Sequence, residues 1–223
     1  MKSTLLHEGY DSNPKKNLIL ARSDNTSLST LEQLAKDEDV EIRRAVALNP
    51  NVSKEILKKL SKEFPVEITQ NPIFSLFLLE SPEDPFIALV LASSPNTSPE
   101  TLDKLSQSTD RKILIALCKN PNTPLKIIEK ISQTTNKASI LIAICKNLNI
   151  PPEMLEGISQ ATNIASVLAE ICKNPNASLE TLERLSYSEA IPVLCEICRR
   201  PEVSSETLER VSMNVNSNSV LSA

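Results

Sequence analysis

Pairs of large aliphatic residues three positions apart recur along this chain, at Leu31/Leu34, Leu57/Leu60, Leu102/Leu105, Ile128/Ile131, Leu155/Ile158, Leu182/Leu185 and Leu208/Val211. Three residues is close to one helical turn, so each pair lies on one face of a short amphipathic helix. Alternating with these are stretches that are apolar almost all round, at residues 113–119, 140–146, 167–173 and 193–199. A helix of that kind belongs between neighbours on several sides. The pattern therefore predicts two layers, with the all-round apolar helices inside and the amphipathic ones outside.

A tetrapeptide leads into each outer helix: Ser23-Asp24-Asn25-Thr26, Asn49-Pro50-Asn51-Val52, Asn71-Pro72-Ile73-Phe74, Ser94-Pro95-Asn96-Thr97, Asn120-Pro121-Asn122-Thr123, Asn147-Leu148-Asn149-Ile150, Asn174-Pro175-Asn176-Ala177 and Arg200-Pro201-Glu202-Val203. Its copies are spaced by 26, 22, 23, 26, 27, 27 and 26 residues. A near-constant period of this size marks a stacked array whose units are each too small to bury their own apolar face. Thr97, Pro99 and Glu100 read as a capping box with proline in the first turn. The Asn-Pro step ends the preceding helix, because a residue before proline avoids the helical region.

This arrangement resembles the variant leucine-rich repeat family, over roughly residues 13–223, best in the units starting at Asn49, Ser94, Asn120 and Asn174. The segment Asp39-Val40-Glu41-Ile42-Arg43-Arg44-Ala45-Val46-Ala47 is similar to the family's second, alanine-rich stretch. The resemblance implies an all-α fold: a right-handed α-solenoid of about eight two-helix repeats with a period of about 26 residues. HEAT-like helical repeats are the nearest alternative. Some family members hold an iron–sulfur cluster on cysteines ahead of the repeats; this chain has no cysteine before Cys118, so that feature does not carry over. The expected organisation is a polar leader at residues 1–12 and one repeat array at 13–223, with an irregular short repeat at 71–84 and an incomplete last one.

The irregular repeat has Leu79 and Pro82 where its sisters carry the leucine pair, and all four phenylalanines lie between residues 64 and 86. Bulky side chains filling a shortened unit is one reading; a bend or partner groove at Phe74, Phe77 and Phe86 is the other. At the far end, residues 214–223 align with 134–143 and read as the start of another inner helix. That reading leaves Val211, Val220 and Leu221 on an uncovered face. It predicts weak self-association, a fraying half unit, or a longer natural chain.

Composition narrows the chemistry. Two glycines, no tryptophan and 3% aromatic residues leave a core of Leu, Ile, Val, Ala and Cys. The net charge is −4, with 12 basic and 16 acidic residues up to position 109 and 12 of each beyond it. Neither half carries the basic excess that phosphate-backbone binding demands, which argues against nucleic acid. No run reaches the ~18 apolar residues of a membrane span, the first ten residues contain no export signal, and five cysteines suit a reducing compartment. The expected location is the cytoplasm.

Cys118, Cys145, Cys172 and Cys198 share one repeat position, which Ala21, Ala47, Thr69 and Ala92 occupy elsewhere. That is a small-residue packing site, so a ladder of buried free thiols is expected. Cys195 with Cys198 forms the one Cys-x-x-Cys, but it aligns with Ile115, Ile142 and Ala169, and so reads as core. His7 stands alone in the leader, and Gly9 and Gly157 cannot build a phosphate loop. No catalytic, metal or cofactor site is assigned. Acid–base pairs on the outer helices, Asp103/Lys104, Glu129/Lys130, Glu183/Arg184 and Glu209/Arg210, read as a salt-bridged face broken only at Glu156/Gly157. Lys119, Lys146, Lys173 and Arg199 close the inner helices, where the helix dipole favours cations. Spaced evenly, they are also candidates for an acidic ligand. The expected function is a non-enzymatic protein-interaction scaffold with an unidentified protein partner; the alternative is nucleic-acid or acidic-ligand binding along that ladder.

Overall fold

A computed structural model describes Tyr10 and residues 13–221, with side chains through residue 215. His7, most of the leader and the side chains of Val220 and Leu221 lie outside the described residues. Within them all regular structure is helical, and no strand is present. The chain divides into two compact units, Met1–Thr101 and Leu102–Ala223. The first contains α1 (Pro14–Arg22), α2 (Leu28–Leu34), α3 (Val40–Leu48), α4 (Lys54–Leu60), α5 (Pro65–Gln70), α6 (Pro72–Glu80) and α7 (Pro85–Ser93). The division falls within α8 (Pro99–Leu105). The second holds α9 (Arg111–Lys119), α10 (Leu125–Thr134), α11 (Ala138–Cys145), α12 (Pro152–Ala161), α13 (Ala165–Lys173), α14 (Leu179–Leu185), α15 (Ile191–Cys198) and α16 (Ser205–Leu221).

In the first unit α1, α3, α5 and α7 form a row in which each helix packs on the next, and α2, α4 and α6 lean on that row. In the second, α9, α11, α13 and α15 form the row, with α10, α12, α14 and α16 against it. The row helices are the ones whose sequences are apolar on several sides, and their burial follows: Ile42, Val46, Ile68, Ile87, Leu117, Ile140, Ile144, Val167, Ile171 and Ile197 are all 0% exposed. From the outer helices, Leu31/Leu34, Leu57/Leu60, Ile128/Ile131, Leu155/Ile158 and Leu182/Leu185 are buried as paired. Leu208 and Leu105 depart from this: Leu208 is 36% exposed and Leu105 half-buried, although their partners Val211 and Leu102 are fully buried.

Successive repeats are joined by side-chain amides. The last carbonyls of a helix have no partner within it, and for the row helices α1, α3, α9 and α11 an asparagine from the next repeat supplies one. Asn49 Nδ2 donates to Ala21 O (2.8 Å) and Ser23 O (3.0 Å). Asn71 repeats this on Ala47 O (2.7 Å) and Asn49 O (3.0 Å). Asn147 donates to Cys118 O (2.8 Å), and Asn174 to Cys145 O (2.7 Å) and Asn147 O (3.3 Å). The other amide atom, Oδ1, accepts the N–H two residues on, as from Asn51, Ile73, Asn149 and Asn176, which shapes the turn. Arg200 replaces the asparagine in the last junction, and its Nη1 donates to Cys172 O and Asn174 O, both at 2.7 Å. Among the described residues no backbone φ is positive; Asx turns do the work that glycine does in other folds, which accounts for a repeat protein with two glycines.

Three expectations are corrected. Thr97 does not cap α8: Ser98 Oγ accepts from Thr101 N (3.3 Å), while Thr97 Oγ1 donates back to Leu91 O (2.6 Å). In the irregular repeat, α6 begins at Pro72, so the tetrapeptide becomes the helix itself and the unit is shortened. Its Phe74 is buried, edge-on to Phe86 with ring centres 6.4 Å apart, whereas Leu79 is 80% exposed. At the far end α16 runs unbroken from Ser205 to Leu221, with no turn to start a new row helix, packs on α15, and has Val211 buried instead of on an open face.

Candidate functional site

The outer helices α10 and α12 bury Ile127, Ile128, Ile131 and Leu155, Ile158 toward their row. Between the two helices a groove of about 740 Å³ opens, within the ~300 to 1,000 Å³ common for ligand clefts. Leu125, Leu141, Met154 and Ile158 give it an apolar lining, and Glu129 and Glu153 are the only charged residues along it. Gly157 lines it too, and a Cβ built there meets nothing within 4 Å. A larger side chain at this position therefore has room to enter the groove.

The neighbouring junction, between α12 and α14, is filled. Arg184 reaches from α14 to α12, where its Nε lies 3.2 Å and its Nη2 3.3 Å from the two carboxylate oxygens of Glu156, and Nη2 also donates to Ser159 Oγ. Thr181 Oγ1 and Gln160 Nε2 donate to the same carboxylate. Burial pushes the Glu156 carboxyl up, but the bonds from Thr181, Arg184 and Gln160 outweigh it and hold the group below its ordinary value. One repeat on, Arg210 Nη1 donates to Ser186 Oγ (3.1 Å) and its guanidinium lies 4.4 Å from the centre of the Tyr187 ring.

Family models, curated proteins and solved structures give no match to this chain.

The cationic ladder is only in part a free cationic row. Lys119, Lys146, Lys173 and Arg199 are all exposed, but Glu170 stands 4.0 Å from Lys146 and 3.6 Å from Lys173, and Glu196 2.6 Å from Arg199. Both glutamates sit one turn before the cation on the row helix, where earlier repeats carry Ala116 and Ala143. Among the described residues Lys119 alone of the four has no carboxylate within ion-pairing distance. The phenylalanines are placed differently from a partner surface: Phe74 and Phe86 are core, and Phe77 is half-buried. Lys54 lies 5.3 Å from the Phe77 ring centre and Lys58 5.8 Å from that of Phe86. The apolar surface of α6 belongs to Leu76, Leu78 and Leu79.

All five cysteines are free. Cys118, Cys145 and Cys172 are buried, and burial pushes each thiol up to about 12. Cys198 and Cys195 are exposed, which corrects the reading of both as core positions. At the sister positions of Cys198, the thiols of Cys118, Cys145 and Cys172 are buried, and at those of Cys195, Ala169 is buried and Ile115 and Ile142 half-buried; among the described residues no row helix packs beyond α15. Among the described residues no three His, Cys, Asp or Glu side chains gather as metal ligands do, and no helix is long and apolar enough to cross a membrane. A thiolate-selective reagent at pH 8 is thus expected to modify two thiols in native protein, at Cys195 and Cys198, and all five in denaturant. Peptide mapping checks the assignment; rapid native labelling of Cys145 would contradict its burial.

Proposed function

We propose that this chain is an α-solenoid of the variant leucine-rich repeat type that works as a non-enzymatic, cytoplasmic protein-interaction scaffold. The observation that carries the reading is the α10/α12 groove. It is a concave surface with an apolar lining and acidic rims, on helices held by the repeated asparagine contacts, where a sister junction is closed by an arginine. Binding energy concentrates where an apolar anchor enters a pocket surrounded by polar groups, and this groove has that make-up. Glu170 and Glu196 weigh against the alternative, since an anion approaching Lys146, Lys173 or Arg199 must displace a carboxylate already there.

The test compares the intact chain with Gly157→Arg, which restores the residue type that closes the next junction. Affinity capture from native cell extract, read by mass spectrometry, is expected to recover protein with the parent and lose it with the variant, while circular dichroism stays unchanged. Retention that nuclease treatment abolishes, with no protein dependent on Gly157, sends the function to the cationic ladder instead.

A further inference from the structure

The residues around the groove repeat those of the filled junction, 27 positions earlier. Glu129 corresponds to Glu156, Ser132 to Ser159 and Gln133 to Gln160, and all three line the groove or its wall. Their local geometry is the same. Ser132 Oγ donates to Glu129 O (2.7 Å) as Ser159 Oγ does to Glu156 O (2.6 Å), which leaves each hydroxyl oxygen free to accept. Gln133 Nε2 lies 3.4 Å from Glu129 Oε1 as Gln160 Nε2 lies 2.6 Å from Glu156 Oε1. What differs is the other side. The two residues that reach Glu156 from α14, Thr181 and Arg184, correspond to Met154 and Gly157 on α12. Among the described residues Glu129 has no basic partner.

We infer that the α10/α12 groove is an unfilled arginine socket, and that its occupant is a peptide segment of a partner protein with an arginine between apolar side chains. This rests on the interaction-scaffold reading above and specifies the chemistry of the partner. The guanidinium takes the place of Arg184: two N–H groups face the Glu129 carboxylate and one donates to Ser132 Oγ. A planar fork satisfies those acceptors together, whereas an ammonium presents a single charged point. Leu125, Leu141, Met154 and Ile158 cover the flanking apolar side chains, and Glu153 on the opposite rim adds the same sign of charge. Arg210, which makes the equivalent bond to Ser186 in the last junction, shows that the serine acceptor is used wherever an arginine is present.

The experiment is a titration of the intact ¹⁵N-labelled chain with the capped peptide Ac-Leu-Arg-Leu-NH2 and with its lysine and citrulline counterparts. The arginine peptide is expected to shift amides within residues 125–136 and 151–164. Citrulline keeps the shape and removes the charge, and is expected to bind at least about tenfold more weakly, the least that losing a charge-assisted bond of about 1.5 kcal/mol implies; lysine falls between. Glu129→Gln lowers affinity for the arginine peptide toward the citrulline level, and Gly157→Arg abolishes binding by filling the socket from within, with the dispersed spectrum reporting that both variants are folded. Equal affinity for arginine and citrulline, or shifts confined to other parts of the chain, overturns the assignment. If the peptides fail but Gly157→Arg still loses the captured protein, the scaffold reading stands and the guanidinium socket falls.

Discussion

Asn174→Ala is expected to destabilise the second unit by about 3 kcal/mol. The side chain is 3% exposed, donates to Cys145 O and Asn147 O, and accepts from Asn176 N. Alanine removes all three bonds at once, and water has no path to the Cys145 carbonyl, itself on a residue 1% exposed. A buried polar group left unpaired costs about 1 to 3 kcal/mol, so two carbonyls and an amide reach that total even after relaxation. Asn163→Ala, at an exposed position in the loop after α12, is the control and should stay within about 0.5 kcal/mol. Denaturant unfolding followed by circular dichroism measures both. A loss at Asn174 no larger than at Asn163 would mean that the amide contacts are incidental to how repeats are joined.

Two leucines at one repeat position carry the second large effect. Leu182→Ala should cost about 3 kcal/mol, within the ~2 to 5 kcal/mol seen when a well-packed leucine is truncated; its side chain is 0% exposed. Leu208→Ala, 26 residues on, should cost less than about 1 kcal/mol, because at 36% exposure much of its surface already meets water. The same unfolding experiment reads both, and equal losses would show that α16 packs as its sisters do.

Leu208 also shows where sequence patterning stops being informative. The apolar period located many of the short helices well: residues 113–119 and 167–173 fall inside α9 and α13, and the leucine pairs fall on the buried faces of α2, α4, α12 and α14. Period reports which residues are alike, but exposure depends on what lies next to each copy. Cys198 has the same place in its repeat as Cys172 and a different environment: α15 packs on α13, which carries Cys172, and among the described residues no row helix packs on the far side of α15. The asparagine contacts were hidden for a related reason. Their partners lie 22 to 29 residues away, so a local reading sees only a residue that ends a helix before proline. At the groove the signal was present in the break at Glu156/Gly157, but as one missing charge in a salt-bridged face. Its meaning comes from the span of Arg184 across the next junction, a distance that no residue pattern encodes. Glu170 and Glu196 were legible as the i−3 neighbours of Lys173 and Arg199, and reading the cations as a separate row passed over them.

The asparagines that join repeats, and Arg200 in the last junction, recognise carbonyl oxygens, which every residue possesses, and recognise no side chain of the repeat before them. A repeat that is duplicated, deleted or moved therefore brings its own means of attachment and finds an acceptor wherever it lands. Side chains on the outer helices are released from the duty of holding neighbours together and are free to diverge one copy at a time. Gly157, where the sister copies carry Lys104, Lys130, Arg184 and Arg210, is such a difference: it lies in a groove between two outer helices and leaves the contacts that join their repeats in place.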